Sequence, residues 1–522
     1  MATLHAVIPR EYRDSVALMQ LSAALAKLPG ISQASAVMGT ENNLSLLRQA
    51  GMNIGGLDIG GLNNDKVSVG PNDLLIVVQG DESALPGALA DAKARLSAVG
   101  LPAQTGDVRR MAPRSIAMAL AENADANLAL ISTPGEYAAA EALKTLNLGL
   151  NVMLFSNNVS VPEEAMLKRV ARDKGLIVMG PDCGTAIING IPLAFANVVR
   201  RGSIGAVGAS GTGLQEVTVL VDQLGGGISQ AIGTGGHDLR NEVGGISMLT
   251  GLEYLTDDPD TKVITLISKP PSKEIADQIL GKARSSGKPV VVIFLGADAR
   301  SLTGDNIFGA VTLEDAARLA VDLAADRKPS PASEIVAIPP GIPRLASGQK
   351  FVRGLFSGGT FCFQATMLLQ ESMNVHSNTK VGGSLALNDM FKSEGHTVVD
   401  LGDDVFTRGR PHPMIDYRLR IERIAQEVQD PEMAVLLLDV VLGFGSHANP
   451  AAELAPALIA ARKTTENNGR AFICVGHICG TQGDPQGLAS QAEALRGTGM
   501  ILTDSNAQAV RLARHIIGQA TA

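Results

Sequence analysis

Apolar residues along this chain fall into two repeating periods, and their alternation predicts a layered α/β protein. Leu4–Ile8 reads as a strand, and Ser15–Leu28 carries Val16, Met19, Leu21, Leu25 and Leu28 at helical spacing. Ile31–Met38 is a second strand. A glycine-rich stretch, Gly51–Gly61, reads as a flexible loop; a strand at Asp73–Gln79 and a helix at Pro86–Ala98 follow it. Residues 1–110 thus form a split β-α-β unit, the pattern of a small ferredoxin-like α+β domain. No residue set in it demands chemistry.

The alternation strengthens over 111–200. Strands are expected at Leu128–Ser132, Asn151–Phe155 and Leu176–Met179, with helices at Glu136–Leu146 and Pro162–Lys174. Ser160 and Glu163 have capping-box spacing at the start of the second helix. Near-continuous apolar strands separated by helices imply a parallel sheet with right-handed crossovers, whose ligands lie beyond the strand carboxyl ends. The turn Gly180-Pro181-Asp182-Cys183-Gly184-Thr185 occupies such an end.

Residues 201–328 begin with a strand that runs into a turn of small residues, Gly208-Ala209-Ser210-Gly211-Thr212-Gly213, and then an amphipathic segment, Leu214–Leu224. Strands at Ser229–Ile232, Val263–Ser268 and Pro289–Leu295 and a helix at Leu313–Ala325 follow. Residues 329–349 hold Pro329, Pro331, Pro339, Pro340 and Pro343 and read as a linker. Residues 350–522 repeat the order of parts: strand and Ser357-Gly358-Gly359-Thr360 turn, strands at Ala434–Asp439 and Ala471–Gly476, and a closing helix at Ala507–Gly518. The two blocks read as duplicated flavodoxin-like domains.

Composition narrows the classes. The chain has 522 residues, too many for one ordinary core. A formal charge of −8 leaves no basic footprint, and 3% aromatic residues offer few stacking platforms, so nucleic acid is not an expected partner. The start lacks the apolar core of a secretory signal, and no run is long and apolar enough for a membrane span. Cys183, Cys362, Cys474 and Cys479 lack zinc or CxxC spacing and fit buried, inert thiols in a reducing cytoplasm, so no metal site is expected.

Candidate chemistry follows the turns. Unpaired amides at a helix start bind anions, and small side chains let a phosphate approach. The simplest reading of one such turn is packing; its recurrence favours anion binding at Ser210, Gly211, Thr212 and Gly213 and at Ser357, Gly358, Gly359 and Thr360. Glu216, one turn into the first helix, is a candidate partner for an imidazole or a substrate proton. The loop Gly233–Asp238 offers Gly235 and Gly236 as phosphate-wrapping amides, or is a flexible turn with an exposed His237. Leu401–Asp416 concentrates Asp403, Asp404, Arg408, Arg410, His412 and Asp416, where arginines would clamp a carboxylate or phosphate and aspartates would hold Mg²⁺ through water or orient the arginines. Gly443–His447 is expected to face the same cleft. There is no GxxxxGK[ST] P-loop, and the GxSxG elbow is matched only loosely around Ser210.

The segments Leu176–Thr185 (LIVMGPDCGT), Ile204–Glu216 (IGAVGASGTGLQE) and Ile232–Asp238 (IGTGGHD) resemble the α-subunit of succinyl-CoA synthetase. With Gly409–Asp416 and Leu442–Gly445, the whole chain resembles the FdrA-type succinyl-CoA synthetase-like proteins. The resemblance implies that residues 111–200 form a degenerate Rossmann-like CoA-binding-type domain closed by Gly180, Pro181, Asp182 and Cys183. It also implies that Ser210, Gly211 and Thr212 cradle a phosphohistidine supported by Glu216. Two departures stand out. Gly296–Gly309, where that histidine belongs, has none, and the glycine fingerprint that opens a CoA domain is not evident.

One branch of that family is implicated as a subunit of oxamate carbamoyltransferase, which converts oxalurate and phosphate to oxamate and carbamoyl phosphate. The resemblance therefore implies a cytoplasmic enzyme subunit, with other subunits and self-association, that forms or cleaves a carbamoyl or acyl phosphate. Arg408 and Arg410 would neutralise substrate charge, and His412 or Glu216 would shuttle a proton. The alternatives are an acyl-CoA synthetase using CoA and a nucleotide, and a non-catalytic subunit that senses CoA or an acyl phosphate.

Overall fold

The computed structural model describes residues 2–521 apart from 12, 14, 53, 55, 56, 60–66, 99–112, 331–336, 408 and 409. Its contacts divide the chain into two units, Met1–Asp125 with Asp403–Asp416, and Ala126–Gly402 with Tyr417–Ala522.

The first unit runs β1 (Ala2–Ile8), α1 (Ser15–Ala26), β2 (Ile31–Met38), α2 (Glu41–Gln49), β3 (Leu57–Ile59), β4 (Val67–Val69), β5 (Leu74–Gly80), α3 (Leu85–Ala98) and α4 (Ile116–Glu122). Strand β5 lies between β1 and β2 and is antiparallel to both, with Ile76 opposite Ala6 on one side and Ala36 on the other. This is the expected split β-α-β unit. Residues Leu74–Val78 form an unbroken apolar run because both faces of β5 are covered. Leu21, Leu25, Leu89 and Ala92 cluster with Ile76 and Val78, while Leu44 and Leu47 cluster with Leu75 and Val77. The stretch Gly51–Gly61 corrects one expectation: Leu57–Ile59 within it is a strand, paired in parallel with Val67–Val69. Residues 53, 55, 56, 60 and 61 of that stretch lie outside the described residues.

The second unit opens with β6 (Leu128–Ile131), α5 (Gly135–Asn147), β7 (Asn151–Leu154), α6 (Val161–Asp173) and β8 (Val178–Met179). These strands form a parallel sheet in the order β6-β7-β8. The capping box forms: Ser160 accepts from the Glu163 amide, and the Glu163 carboxylate accepts from Ser160 N–H at 3.1 Å. A hairpin, β9 (Thr185–Ile188) and β10 (Ile191–Ala194), follows. Its turn is Asn189-Gly190 with φ of +51° and +79°, the Asn-Gly hairpin signal, passed over when the apolar runs alone are read.

Next come β11 (Arg201–Gly208), α7 (Gly211–Gln223), β12 (Ile228–Gly233), α8 (Ile246–Asp257), β13 (Val263–Ser268), α9 (Lys273–Arg284), β14 (Val290–Phe294), α10 (Ala299–Leu302), β15 (Ile307–Gly309) and α11 (Leu313–Ala324). The second repeat is β16 (Phe351–Phe356), α12 (Gly359–Gln370), β17 (Val375–Ser377), β18 (Leu385–Ala386), β19 (His396–Asp400), then, after α13 (Asp404–Thr407), which groups with the first unit, α14 (Arg418–Glu427), β20 (Met433–Val441), α15 (Pro450–Asn467), β21 (Ile473–Cys479), α16 (Leu488–Gly497), β22 (Ile501–Thr503) and α17 (Asn506–Thr521).

The sheet orders are β10-β9-β12-β11-β13-β14-β15 and β18-β17-β19-β16-β20-β21-β22. Each contains the flavodoxin-like 2-1-3-4-5 order, as β12-β11-β13-β14-β15 and as β19-β16-β20-β21-β22, and the strands within these sets are parallel. In both repeats the strand order reverses at the first strand, β11 or β16. The first helix, α7 or α12, starts just beyond that switch point, where a ligand crevice is expected.

The repeats are locked together by buried polar groups. Asn197 donates to Leu442 O at 3.1 Å and to Asp484 at 2.8 Å, and Gln215 donates to Asn197 Oδ1 at 3.2 Å. Asp484 also accepts from Val198 N–H and Thr481 N–H, both at 2.8 Å. Burial pushes its carboxyl above the usual range, against these hydrogen bonds.

Candidate functional site

The two helix N-termini meet. Ser210 Oγ and Thr360 Oγ1 are hydrogen-bonded, and Thr360 N–H donates to Thr212 Oγ1 at 3.4 Å. The contact is reciprocal: a Cβ on Gly213 would lie 3.2 Å from the Thr360 methyl, and one on Gly358 2.8 Å from the Thr212 methyl. Ser210 is the N-cap of α7, accepting from Gly213 N–H at 3.1 Å. The Gly211 and Thr212 amides have no partner within the helix. Gly211 is exposed, and Ser210 and Thr212 are partly so. The positive end of the α7 dipole therefore lies at an accessible point beside the start of α12.

The second turn differs from the first. Gly358, the N-cap of α12, has no side chain to cap with, and Asp439 from β20 does that work. Its carboxylate accepts from Ser357 N–H at 2.8 Å, Ser357 Oγ at 2.7 Å and Gly358 N–H at 3.1 Å, and is ion-paired with buried Arg420. A Cβ on Gly359 would lie 2.5 Å from Asp400 Oδ2. The expectation that Ser357 and Gly358 cradle a ligand phosphate is thereby corrected: their amides hold the protein's own carboxylate. What remains open is the α7 turn, with buried Thr360 bonded to it.

Glu216 does find an imidazole. Its Oε2 lies 3.3 Å from His477 Nε2, within ion-pair distance but off line for a hydrogen bond, and both residues are 1% exposed. Its Oε1 accepts from Asn506 N–H at 3.1 Å. Asn506 in turn donates to Phe361 O in α12 at 3.2 Å, and Phe361 meets His477 edge-on at 4.8 Å between centroids. Glu216 thus joins α7, α12, α17 and β21 from behind the paired N-termini. Sequence reading missed His477 and Asp439; the available signal was one polar residue inside an otherwise apolar buried strand, ICVGHIC and MAVLLLDVV.

The Gly180–Thr185 turn sits at the carboxyl end of β8. The Gly180-Pro181 peptide is cis, and Gly180 and Asp182 have φ of +109° and +55°. A Cβ on Gly235 would lie 2.2 Å from Pro181 O, so that glycine is needed for backbone packing, whereas a Cβ on Gly236 meets nothing within 4 Å. Cys183 is buried, with its thiol pushed up to about 12 by burial. The 233–238 loop is held in place: Asp238 caps α8 by accepting from Ser247 N–H at 3.1 Å and Met248 N–H at 2.8 Å. Buried Lys168 Nζ donates to Glu164 at 2.7 Å, Thr234 O at 2.9 Å and Asp238 at 2.8 Å. His237 Nδ1 is 3.6 Å from Glu164 Oε2.

Of the charged loop, Arg408 lies outside the described residues. Arg410 and His412 belong to Asp403–Asp416, which groups with the first unit. There Met414 N–H donates to His412 Nδ1 at 3.3 Å. In the second unit, Gly443–Gly445 packs on Phe195 and Ala196, with Phe444 N–H donating to Ala196 O at 2.9 Å. No helix of the described residues is long and apolar enough to cross a membrane.

Comparison with known proteins agrees with this architecture. A family model described as CoA-ligase matches residues 355–516, and one described as CoA binding domain matches 199–296. Residues 1–111 match the model for the AllF heavy metal-associated domain. Residues 1–111 contain no cysteine, and among the described residues no group of three or more His, Cys, Asp or Glu is placed to hold an ion. The α-2 subunit of succinate–CoA ligase [ADP-forming] of Trichomonas vaginalis is 29% identical over 183 residues, which is 34% of this chain and 58% of that subunit. The solved dinucleotide-forming acetyl-coenzyme A synthetase 1 of Ca. Korarchaeum cryptofilum aligns over 80% of this chain and 88% of its own at 14% identity, with a TM-score of 0.33. Protein YahF of Escherichia coli (strain K12) is 40% identical over 513 residues, covering 98% of this chain and 97% of that one. The chain therefore belongs to the family of YahF, α/β proteins that join an AllF-like N-terminal domain to CoA-binding and CoA-ligase domains of the succinyl-CoA synthetase kind.

Proposed function

We propose that this protein works in acyl-CoA ligase chemistry, holding the phosphate of an acyl phosphate at the paired N-termini of α7 and α12. The observation that carries the proposal is the open N-terminus of α7, where Gly211 is exposed and the Gly211 and Thr212 amides have no partner within the helix. The Gly211 and Thr212 amides would bind phosphate oxygens, and the Thr212 and Ser210 hydroxyls would orient them. These donors stabilise charge that develops on the leaving phosphate as the acyl–oxygen bond breaks. CoA would lie where the Gly180–Cys183 turn packs on Gly233 and Gly235 of the segment matched by the CoA binding domain model, and its sulfur would take the acyl group. Buried Cys183 would not compete as a nucleophile, since its thiol stays protonated. Glu216 and His477 would hold α7 and α12 in register instead of touching substrate.

Carbamoyl phosphate, the finer expectation from sequence, is one acyl phosphate that this cradle would accept. Arg408, Arg410 and His412, in the loop that groups with the first unit, stay candidates for binding a carboxylate in their own right. Partner subunits, a nucleotide and Mg²⁺ belong to the same proposal.

Calorimetric titration of the purified chain with inorganic phosphate and with CoA tests the reading. Phosphate is expected to bind the wild type and to bind Thr212→Val at least tenfold more weakly, the worth of about one charge-assisted hydrogen bond. No phosphate binding at millimolar concentration, or binding that ignores the substitution, overturns it. Incubation with oxalurate and phosphate, against an acyl phosphate with CoA, then separates carbamoyl transfer from thioester formation.

A further inference from the structure

Among the described residues two phenylalanines are exposed, Phe391 and Phe444. Phe444, at 46% exposure, sits in a loop built to hold it still. Gly443 and Gly445 have φ of +98° and +79°, and Cβ atoms there would lie 2.5 Å from Ala196 O and 2.8 Å from the Phe195 ring. Gly443 N–H donates to Gln486 Oε1 at 3.0 Å, and Gln486 Nε2 donates back to Gly443 O at 2.8 Å. Leaving a phenyl in water forgoes roughly 1.5–3 kcal/mol of burial. A pinned backbone gives it no way to fold inward.

The loop that carries it packs on a second phenylalanine, Phe195, through Gly445. Phe195 stacks on Phe155 at 5.9 Å between centroids, and both are partly exposed. Phe195 N–H donates to Gly184 O at 2.8 Å, and Thr185 Oγ1 donates to Phe195 O at 2.7 Å. A Cβ on Gly211 would lie 3.5 Å from that same Thr185 Oγ1. Thr185 therefore links the Phe195 backbone to the start of α7. Exposed Asp182 is tied to the same place, its N–H donating at 3.0 Å to O of Ser156, the residue after Phe155.

We propose that Phe155, Phe195 and Phe444 form an apolar wall that receives the uncharged organic part of the substrate and selects against a second negative charge on it. The proposal rests on the reading of the α7–α12 junction as the phosphate cradle. A phenyl face carries the negative lobe of the ring quadrupole, so a carboxylate laid on it is repelled and loses water without gaining a donor. An alkyl or aryl group gains burial at the same place.

A pair of near-isosteric probes tests it. Propylphosphonate and 2-carboxyethylphosphonate share a phosphonate and a three-carbon chain and differ in whether its last carbon is a methyl or a carboxylate. Wild-type protein is expected to bind propylphosphonate about tenfold tighter, the worth of roughly two buried methylenes. Phe444→Ala should reduce the preference to about twofold while leaving inorganic phosphate binding unchanged, and Phe444→Leu should retain most of it. Equal affinities in the wild type, a preference for the carboxylate, or a Phe444→Ala loss shared equally by inorganic phosphate overturns the wall. If phosphate binds but shows no such preference, only the wall falls. If none of the three anions binds, the phosphate cradle falls with it.

Discussion

Ser210 Oγ and Thr360 Oγ1 are hydrogen-bonded across the junction of two helices whose sequences are 150 residues apart. The same Ser210 oxygen caps α7 by accepting from Gly213 N–H. Ser210→Ala should therefore lose both a cap and a bridge between the repeats, about 1–2 kcal/mol in urea denaturation. Ser210→Thr keeps the oxygen and should recover most of the loss. Equal destabilisation by both would show that the contact is not what joins the helices.

Glu216 holds two buried partners at once, Asn506 N–H and His477. Glu216→Ala leaves both without it and should cost about 2–4 kcal/mol. Glu216→Gln retains an acceptor for Asn506 and should cost less than half as much. If Gln and Ala are equivalent by equilibrium denaturation, the buried amide is not the group that matters.

Lys168 neutralises Glu164 and Asp238 where none of the three side chains meets water. Removing it as Lys168→Met strands two buried carboxylates and should cost about 3–5 kcal/mol. Burial alone would raise the Glu164 carboxyl, but His237 and Lys168 outweigh it and hold the group below its ordinary 4.5. A folded-state pKa below the unfolded one adds stability that is complete above the unfolded value and lost as pH falls through the folded value. Acidification below pH 4.5 should therefore erode wild-type stability more steeply than that of Glu164→Gln. Parallel melting-temperature profiles for the two proteins would contradict this.

All four cysteines are buried and unpaired, and burial raises the thiols of Cys183 and Cys362 to about 12. A thiol reagent at pH 8 should leave the native protein unmodified and titrate four groups once urea is added. Rapid modification of Cys183 in the folded protein would return it to the list of candidate nucleophiles.

Much of the architecture is legible along the chain because it depends on local period. The β-strand and helix alternation, the split β-α-β start and the repeated strand–turn–helix element are all visible in apolar spacing, and Ser160 with Glu163 predicts its own cap. The Asn189-Gly190 hairpin carried a readable signal too, in a dipeptide. The outcome at the second small-residue turn was not readable in this way. Ser210–Gly213 and Ser357–Thr360 look alike as strings, yet Asp439, some eighty positions further on, fills only the second. His477 reaches Glu216 from 261 positions away by the difference of their numbers. Periodicity reports which face of an element is apolar; it carries nothing about which distant carboxylate or imidazole the packing of two repeats will bring to a helix end. The sequence alone determined the layers, the duplication and the two helix starts. Only the tertiary structure decided that those starts meet, that one is already occupied by the protein's own charge, and that the other is left open to solvent.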